Sequence, residues 1–259
     1  MKAFITGGNR GIGRGIARIL ADAGYDIAFT YGSAEEEAYE TKREIIEKGR
    51  RCFCYQASLE KPEVPGDITR RAIEDLGGLD AIICNAALSR IRGLMDTDME
   101  MINHLFNLNY RAYLFCAKEA ASYMIANGVK GNIVFITSTR GERAYPNDVV
   151  YAGLKAGINH SAESLAVELS KHRIRVNCVA PGATAIRGSF TQEDLSKRAF
   201  AKQIPLGRMG TPDEVGHLVK YVISPEAGYM TGNIIKLDGG LILPGMTEND
   251  AFYEKAYGK

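Results

Sequence analysis

Short apolar runs alternate along the chain with longer stretches of helical periodicity. The runs Lys2–Thr6, Asp26–Tyr31, Arg51–Gln56, Leu79–Cys84, Gly131–Thr137, Ile174–Val179 and Asn233–Leu237 predict strands. They are apolar almost throughout rather than alternating, which marks strands covered on both faces, and the segments between them are long enough for crossover helices. Between the first two, Ile12, Ile16, Ile19, Leu20 and Ala23 recur at helical spacing, and Gly24 stands where a left-handed C-terminal cap belongs. This is a βαβ unit. Its repetition predicts an α/β, doubly wound fold, with a parallel sheet of about seven strands flanked by helices. No linker, charge run or internal repeat divides residues 1–259, so a single domain is expected.

Ligands of such sheets bind beyond the carboxyl ends of the strands, near the switch in strand order. Candidate chemistry therefore belongs to the loops that follow strands. The polar stretch 184–210 is the longest without a strand, and its composition suits a substrate lid with short helices.

Charge narrows the partners. A net charge of +1 supplies no basic field for nucleic acid or an anionic membrane, leaving a small molecule or a second copy of the chain. The five cysteines (Cys52, Cys54, Cys84, Cys116 and Cys178) are odd in number and contain no Cys-x-x-Cys, so they read as small buried side chains in a reducing compartment. The histidines His104, His160, His172 and His217 show no metal-ligand spacing, and no metal is expected. No apolar run approaches the roughly 20 residues of a membrane span, and Met1–Thr6 runs straight into a glycine-rich turn without a signal-peptide pattern. The expectation is a soluble, cytoplasmic protein.

That turn, Thr6-Gly7-Gly8-Asn9-Arg10-Gly11-Ile12-Gly13, follows the first strand and opens the first helix. Glycines at 7, 11 and 13 let the backbone approach a pyrophosphate, whose charge faces the N–H groups of the helix N-terminus. Taken alone it is also what a tight strand-to-helix connection looks like. A second signal is Tyr151-Ala-Gly-Leu-Lys155, where the i, i+4 spacing puts both side chains on one helical face. A chain with 13 tyrosines holds roughly one such pair by chance, so context matters. Ser138 supplies it, ending the apolar run Gly131–Thr137 where a doubly wound sheet places ligands.

Together these motifs resemble the short-chain dehydrogenase/reductase family, whose cofactor loop is Thr-Gly-x-x-x-Gly-x-Gly, and the resemblance covers nearly the whole chain. It implies a Rossmann fold, a nicotinamide dinucleotide, and interconversion of a secondary alcohol and a ketone. Ser138, Tyr151 and Lys155 match the family's catalytic serine, tyrosine and lysine, and Asn109 matches its asparagine, which the resemblance implies holds a relay water. Lys155 also stands where the family's lysine holds the nicotinamide ribose. The cofactor set it implies comprises Gly7, Asn9, Arg10, Gly11, Ile12, Gly13, Ser33, Ser58, Leu59, Asn85, Ala86, Tyr151, Lys155, Pro181, Gly182 and Thr184. Ala87, Ile186 and Ser58 depart from the residues that relatives usually carry. The pattern is most similar to bacterial 3-oxoacyl-carrier reductases and to glucose and polyol dehydrogenases, and relatives of this kind form homo-oligomers.

The chemistry explains the residue types. Reducing a ketone requires a proton for its oxygen, and a phenol of ordinary pKa about 10 is a poor acid–base catalyst near neutrality. An ammonium one helical turn away is expected to lower it. Ser138 is expected to donate to the substrate oxygen. Strand two ends Phe29-Thr30-Tyr31-Gly32-Ser33 with no acid for ribose hydroxyls, while Arg10 lies in the glycine loop, so NADP(H) is favoured over NAD. Glu35, Glu36 and Glu37 are placed in the next helix. Leu88 to Gly93, Arg140 to Asn147 and Ala183 to Phe200 are the candidate pocket walls. A non-catalytic nucleotide sensor on the same fold is the alternative, and the substrate itself stays open.

Overall fold

The computed structural model describes residues 1–187, 190–198 and 200–243. Strands β1 (Lys2–Ile5), β2 (Asp26–Tyr31), β3 (Cys52–Gln56), β4 (Ala81–Cys84), β5 (Asn132–Ile136), β6 (Arg175–Pro181) and β7 (Ile234–Leu237) form one parallel sheet in the order β3-β2-β1-β4-β5-β6-β7. All seven expected runs are strands of a single domain. β6 runs to Pro181 rather than stopping at Val179, because proline's fixed φ suits extended backbone and Pro181 pairs with Leu237 at the end of the ladder.

Helices α1 (Gly11–Asp22), α2 (Glu35–Glu47) and α8 (Pro212–Ile223) cover one face; α3 (Val64–Leu76), α5 (Ala112–Ala126) and α6 (Val149–Leu169) cover the other. The shorter α4 (Met99–Phe106) and α7 (Gln192–Lys197) complete the set. Two-residue alternation sends successive strand side chains into different cores. Phe4, Ile82 and Phe135 join the α3/α5/α6 cluster, and Ile5, Ile83 and Val134 join the α1/α2/α8 cluster. Both cores are apolar, which is why the runs read as continuous.

On the first face, α1 and α8 touch backbone to backbone. A Cβ at Gly15 would lie 2.5 Å from the Pro212 carbonyl, and one at Gly216 2.8 Å from the Gly15 carbonyl oxygen. The start of α8 is fixed by a capping box, in which Thr211 and Glu214 exchange backbone and side-chain hydrogen bonds at 2.8 and 3.2 Å, with Arg208 paired to Glu214. Residues Pro205 to Pro212 thus serve the architecture.

Strand order reverses between β1 and β4, which opens the crevice beyond their carboxyl ends. The stretch 184–210 arises beside it. Thr184 pairs with Gly210, so both ends of the stretch leave the fold together, and it carries α7 and a short 3₁₀ turn, Ala201–Gln203. All five cysteines are reduced thiols, four buried and Cys54 half-buried. No described helix is long and apolar enough to cross a membrane. The tail beyond Gly245 lies outside the described residues.

Candidate active site

The glycine loop is held from both neighbouring strands. The Gly7 N–H donates to Thr30 Oγ1 at 3.0 Å and the Gly8 N–H to the Thr30 carbonyl at 2.9 Å. From β4, the N–H groups of Asn85 and Ala86 donate to Thr6 Oγ1 at 2.8 and 3.0 Å, and Asn85 Nδ2 donates to the carbonyls of Thr6 and Gly7, each at 3.0 Å. Asn85 therefore shapes the loop. Thr30, which fixes the other side, went unmarked because its role depends on which strand lies beside β1.

Two glycines are obligatory here. Gly7 has φ +68°, and a Cβ at Gly13 would lie 2.0 Å from the Gly7 carbonyl oxygen. Arg10 precedes α1 without a side-chain cap, and no acid occupies the first turn. The N–H groups of Gly11, Ile12 and Gly13 are thus aimed outward at the positive end of the helix, an arrangement that fits a pyrophosphate. Asn9 is buried and turned to the Ala34 carbonyl, while Arg10 is exposed. A cavity of about 380 Å³ joins Arg10, Gly11 and Arg14 to Ile186 and Phe190 of the 184–210 stretch.

The other expected cofactor positions lie along the same edge. Ser33 sits exposed in the turn after β2, and Ser58 in the turn after β3. Leu59 is in the hydrophobic core, so its side chain packs. Pro181 ends β6, and the Gly182 N–H donates to the Leu237 carbonyl at 3.0 Å. Thr184 donates back to the Gly182 carbonyl.

Ser138, Tyr151 and Lys155 come together where β5 ends and α6 begins. Ser138 caps a 3₁₀ turn, Thr139–Gly141, by accepting from the Arg140 N–H at 3.2 Å, and its hydroxyl is near enough to the Tyr151 phenol to act on its pKa. Burial pushes the Tyr151 pKa up; Ser138 and Arg140 oppose this, and Asp148 adds to it. The net shift is upward rather than the lowering expected from a nearby ammonium, because burial dominates. Lys155 is 1% exposed, and so deep an ammonium must find donors' partners nearby. It takes the Ile136 carbonyl at 2.8 Å and the Tyr113 hydroxyl at 3.2 Å, with Nζ 5.7 Å from the centre of the Tyr151 ring. Burial brings its own pKa down to about 7.

Asn109 lies in a π-helical turn, Asn107–Arg111, between α4 and α5. Its side-chain amide exchanges two hydrogen bonds with the Leu88 backbone, accepting from the N–H at 2.9 Å and donating to the carbonyl at 2.8 Å. The side chain therefore anchors the loop after β4. Sequence reading missed Tyr113, although its spacing of four from Asn109 places both on one helical face.

Arg140 pairs with Asp148 at 2.6 Å and lies over the Tyr145 ring at 4.5 Å. Asp148 directly precedes α6 yet does not cap it, and its side chain is fully buried. A second cavity, about 470 Å³, is lined by Ile91, Arg92, Gly93, Asp96 and Asn147. It unites the walls expected at Leu88 to Gly93 and Arg140 to Asn147.

A family model described as enoyl-(acyl carrier protein) reductase matches residues 7–242. The chain is 33% identical over 249 residues to a short-chain dehydrogenase/reductase of Armillaria gallica, covering 93% of this chain and 95% of that protein. It is 30% identical over 242 residues to an L-rhamnose 1-dehydrogenase (NAD(P)+) of a Sphingomonas strain, covering 92% and 94%. Among solved structures, the acetoin dehydrogenase YohF of Salmonella typhimurium superposes with a TM-score of 0.89 at 31% identity, covering 94% of this chain and 96% of the other. Matches at this coverage, on a sheet and glycine loop of this form, make the chain a member of the short-chain dehydrogenase/reductase family, an NAD(P)-dependent oxidoreductase.

Proposed function

We propose that the chain is an NADP(H)-preferring oxidoreductase interconverting a secondary alcohol and a ketone, with Tyr151 as general acid and base. The observation that carries this reading is the convergence of Ser138, Tyr151 and Lys155 where β5 ends and α6 begins, at the sheet edge that also presents the uncapped glycine loop. When bound, the dinucleotide supplies the carbon that gives or takes hydride. Gly11, Ile12 and Gly13 would hold its pyrophosphate, and Ser33, Ser58, Pro181, Gly182 and Thr184 would line the rest of its groove.

In the reducing direction, Tyr151 gives its proton to the ketone oxygen while Ser138 donates to that oxygen and stabilises developing charge. A phenol kept protonated by burial is suited to this direction at neutral pH. Lys155 spends two of its donors inward, which leaves a third for ribose hydroxyls. Asn109 holds the loop after β4 through Leu88. The 184–210 stretch serves as the substrate lid, since Ile186 and Phe190 face the glycine loop across the first cavity.

Arg10 and the acid-free end of β2 support NADP(H), with the guanidinium meeting the 2′-phosphate. Apolar side chains left exposed on the α4–α5 arm and on α6, including Phe106, Phe115 and Val167, support a homo-oligomer. Small hydroxyketones, sugars and acyl thioesters form the test panel, because the family neighbours act on such compounds. Consumption of NADPH by wild type but not by Tyr151→Phe bears the reading out. Cofactor binding without turnover on any ketone favours a nucleotide sensor instead.

A further inference from the structure

Tyr113 is among the largest enclosed side chains in the protein, 2% exposed, and lies in α5 one helical turn beyond Asn109. Its hydroxyl donates to the Ile136 carbonyl at 3.3 Å and accepts from Lys155 Nζ at 3.2 Å, while Nζ donates to that same carbonyl at 2.8 Å. Three polar groups from α5, α6 and β5 thus close a triangle inside the core. The ring takes part as well: Nζ lies 4.8 Å from its centre, and the ring stacks on Phe135 with centroids 5.8 Å apart.

Packing alone does not require this hydroxyl. A phenylalanine would fill the same volume and leave no polar group to satisfy. The titratable groups facing Lys155 are Cys84 of β4, Cys178 of β6, Tyr113 of α5 with Cys116 beside it, and Tyr151 on α6 itself. None is a carboxylate. The ammonium therefore depends on a carbonyl, one phenol oxygen and two ring faces for what water would otherwise supply.

We propose that Tyr113 is a positioning residue: its hydroxyl and ring face hold the Lys155 ammonium charged and in place, and so set the pH range in which Tyr151 transfers protons. This rests on the reading of Tyr151 as the acid and base. Removing the hydroxyl withdraws an acceptor from the charged lysine, so its proton is lost at lower pH. With less positive charge nearby, the Tyr151 phenol then holds its proton to higher pH.

The test compares wild type, Tyr113→Phe, Tyr113→Leu and Tyr151→Phe. Lysine protonation is followed by NMR of protein labelled with ¹³C at lysine Cε, Lys155→Met identifying the signal, and alcohol oxidation is measured across pH. The expected result is about a tenfold fall in Lys155 proton affinity in Tyr113→Phe, with a larger fall in Tyr113→Leu. The rising limb of the oxidation profile moves alkaline and kcat at neutral pH falls, while KM for the alcohol stays within about twofold. If Tyr113→Leu fails to fold, the isosteric Tyr113→Phe decides alone. An unmoved Lys155 signal in Tyr113→Phe, with Tyr151→Phe inactive, overturns the positioning role by itself. Wild-type turnover in Tyr151→Phe overturns the catalytic reading, and this proposal falls with it.

Discussion

Arg140 and Asp148 form an ion pair at 2.6 Å whose two charges act on Tyr151 in opposite senses: the carboxylate raises the phenol's pKa and the guanidinium lowers it. Asp148→Asn removes only the raising partner. The alkaline limb of ketone reduction is therefore expected to move to lower pH, read from kcat/KM profiles. Arg140→Met instead strands a fully buried carboxylate, at a cost of roughly 2–4 kcal/mol in denaturant unfolding.

Burial of Tyr151 sets the direction of the pH response. With its pKa raised, the phenol stays protonated through neutrality, so if it is the proposed acid ketone reduction should be flat there and decline only at high pH. Alcohol oxidation needs the phenolate and should climb as pH rises over the same range. Initial rates in both directions check the crossing.

Lys155 trades stability for function. Its folded-state pKa of about 7 lies below the ordinary lysine value, so the unfolded chain binds the extra proton between the two. Stability from this group is lowest below about pH 7 and grows as pH rises toward the ordinary lysine value. Lys155→Met should abolish turnover, raise Tm by roughly 2–6 °C at neutral pH, and flatten that rise with pH.

Asn109 exchanges two hydrogen bonds with the Leu88 backbone, so Asn109→Ala leaves a half-buried N–H and carbonyl without that partner. The expected loss is roughly 2–4 kcal/mol, together with a higher substrate KM, because the loop after β4 bears one wall of the second cavity. Asn109→Asp keeps the acceptor and loses the donor, and should fall between. Urea unfolding and steady-state kinetics measure both effects.

What could be read from sequence was what is local in sequence. The glycine loop declared itself by composition, the strands by their apolar runs, and Tyr151 with Lys155 by spacing on a single helix. What could not be read depends on which segments become neighbours. Thr30 matters because β2 lies beside β1, and Asp148 because Arg140 folds back to it. The inward partners of Lys155 were hidden for the same reason, since the Ile136 carbonyl and the Tyr113 hydroxyl reach it from other elements. The apolar run of the sixth strand was read as ending at Val179, yet Pro181 occupies the last rung through its pairing with Leu237.

The pairing of Thr184 with Gly210 has an evolutionary corollary. Everything between those residues departs from and returns to one point on the scaffold, next to a helix seated directly on α1. Such an excursion is an exchangeable cassette: its length and side chains can be rewritten while the sheet, the glycine loop and Tyr151 stay where they are.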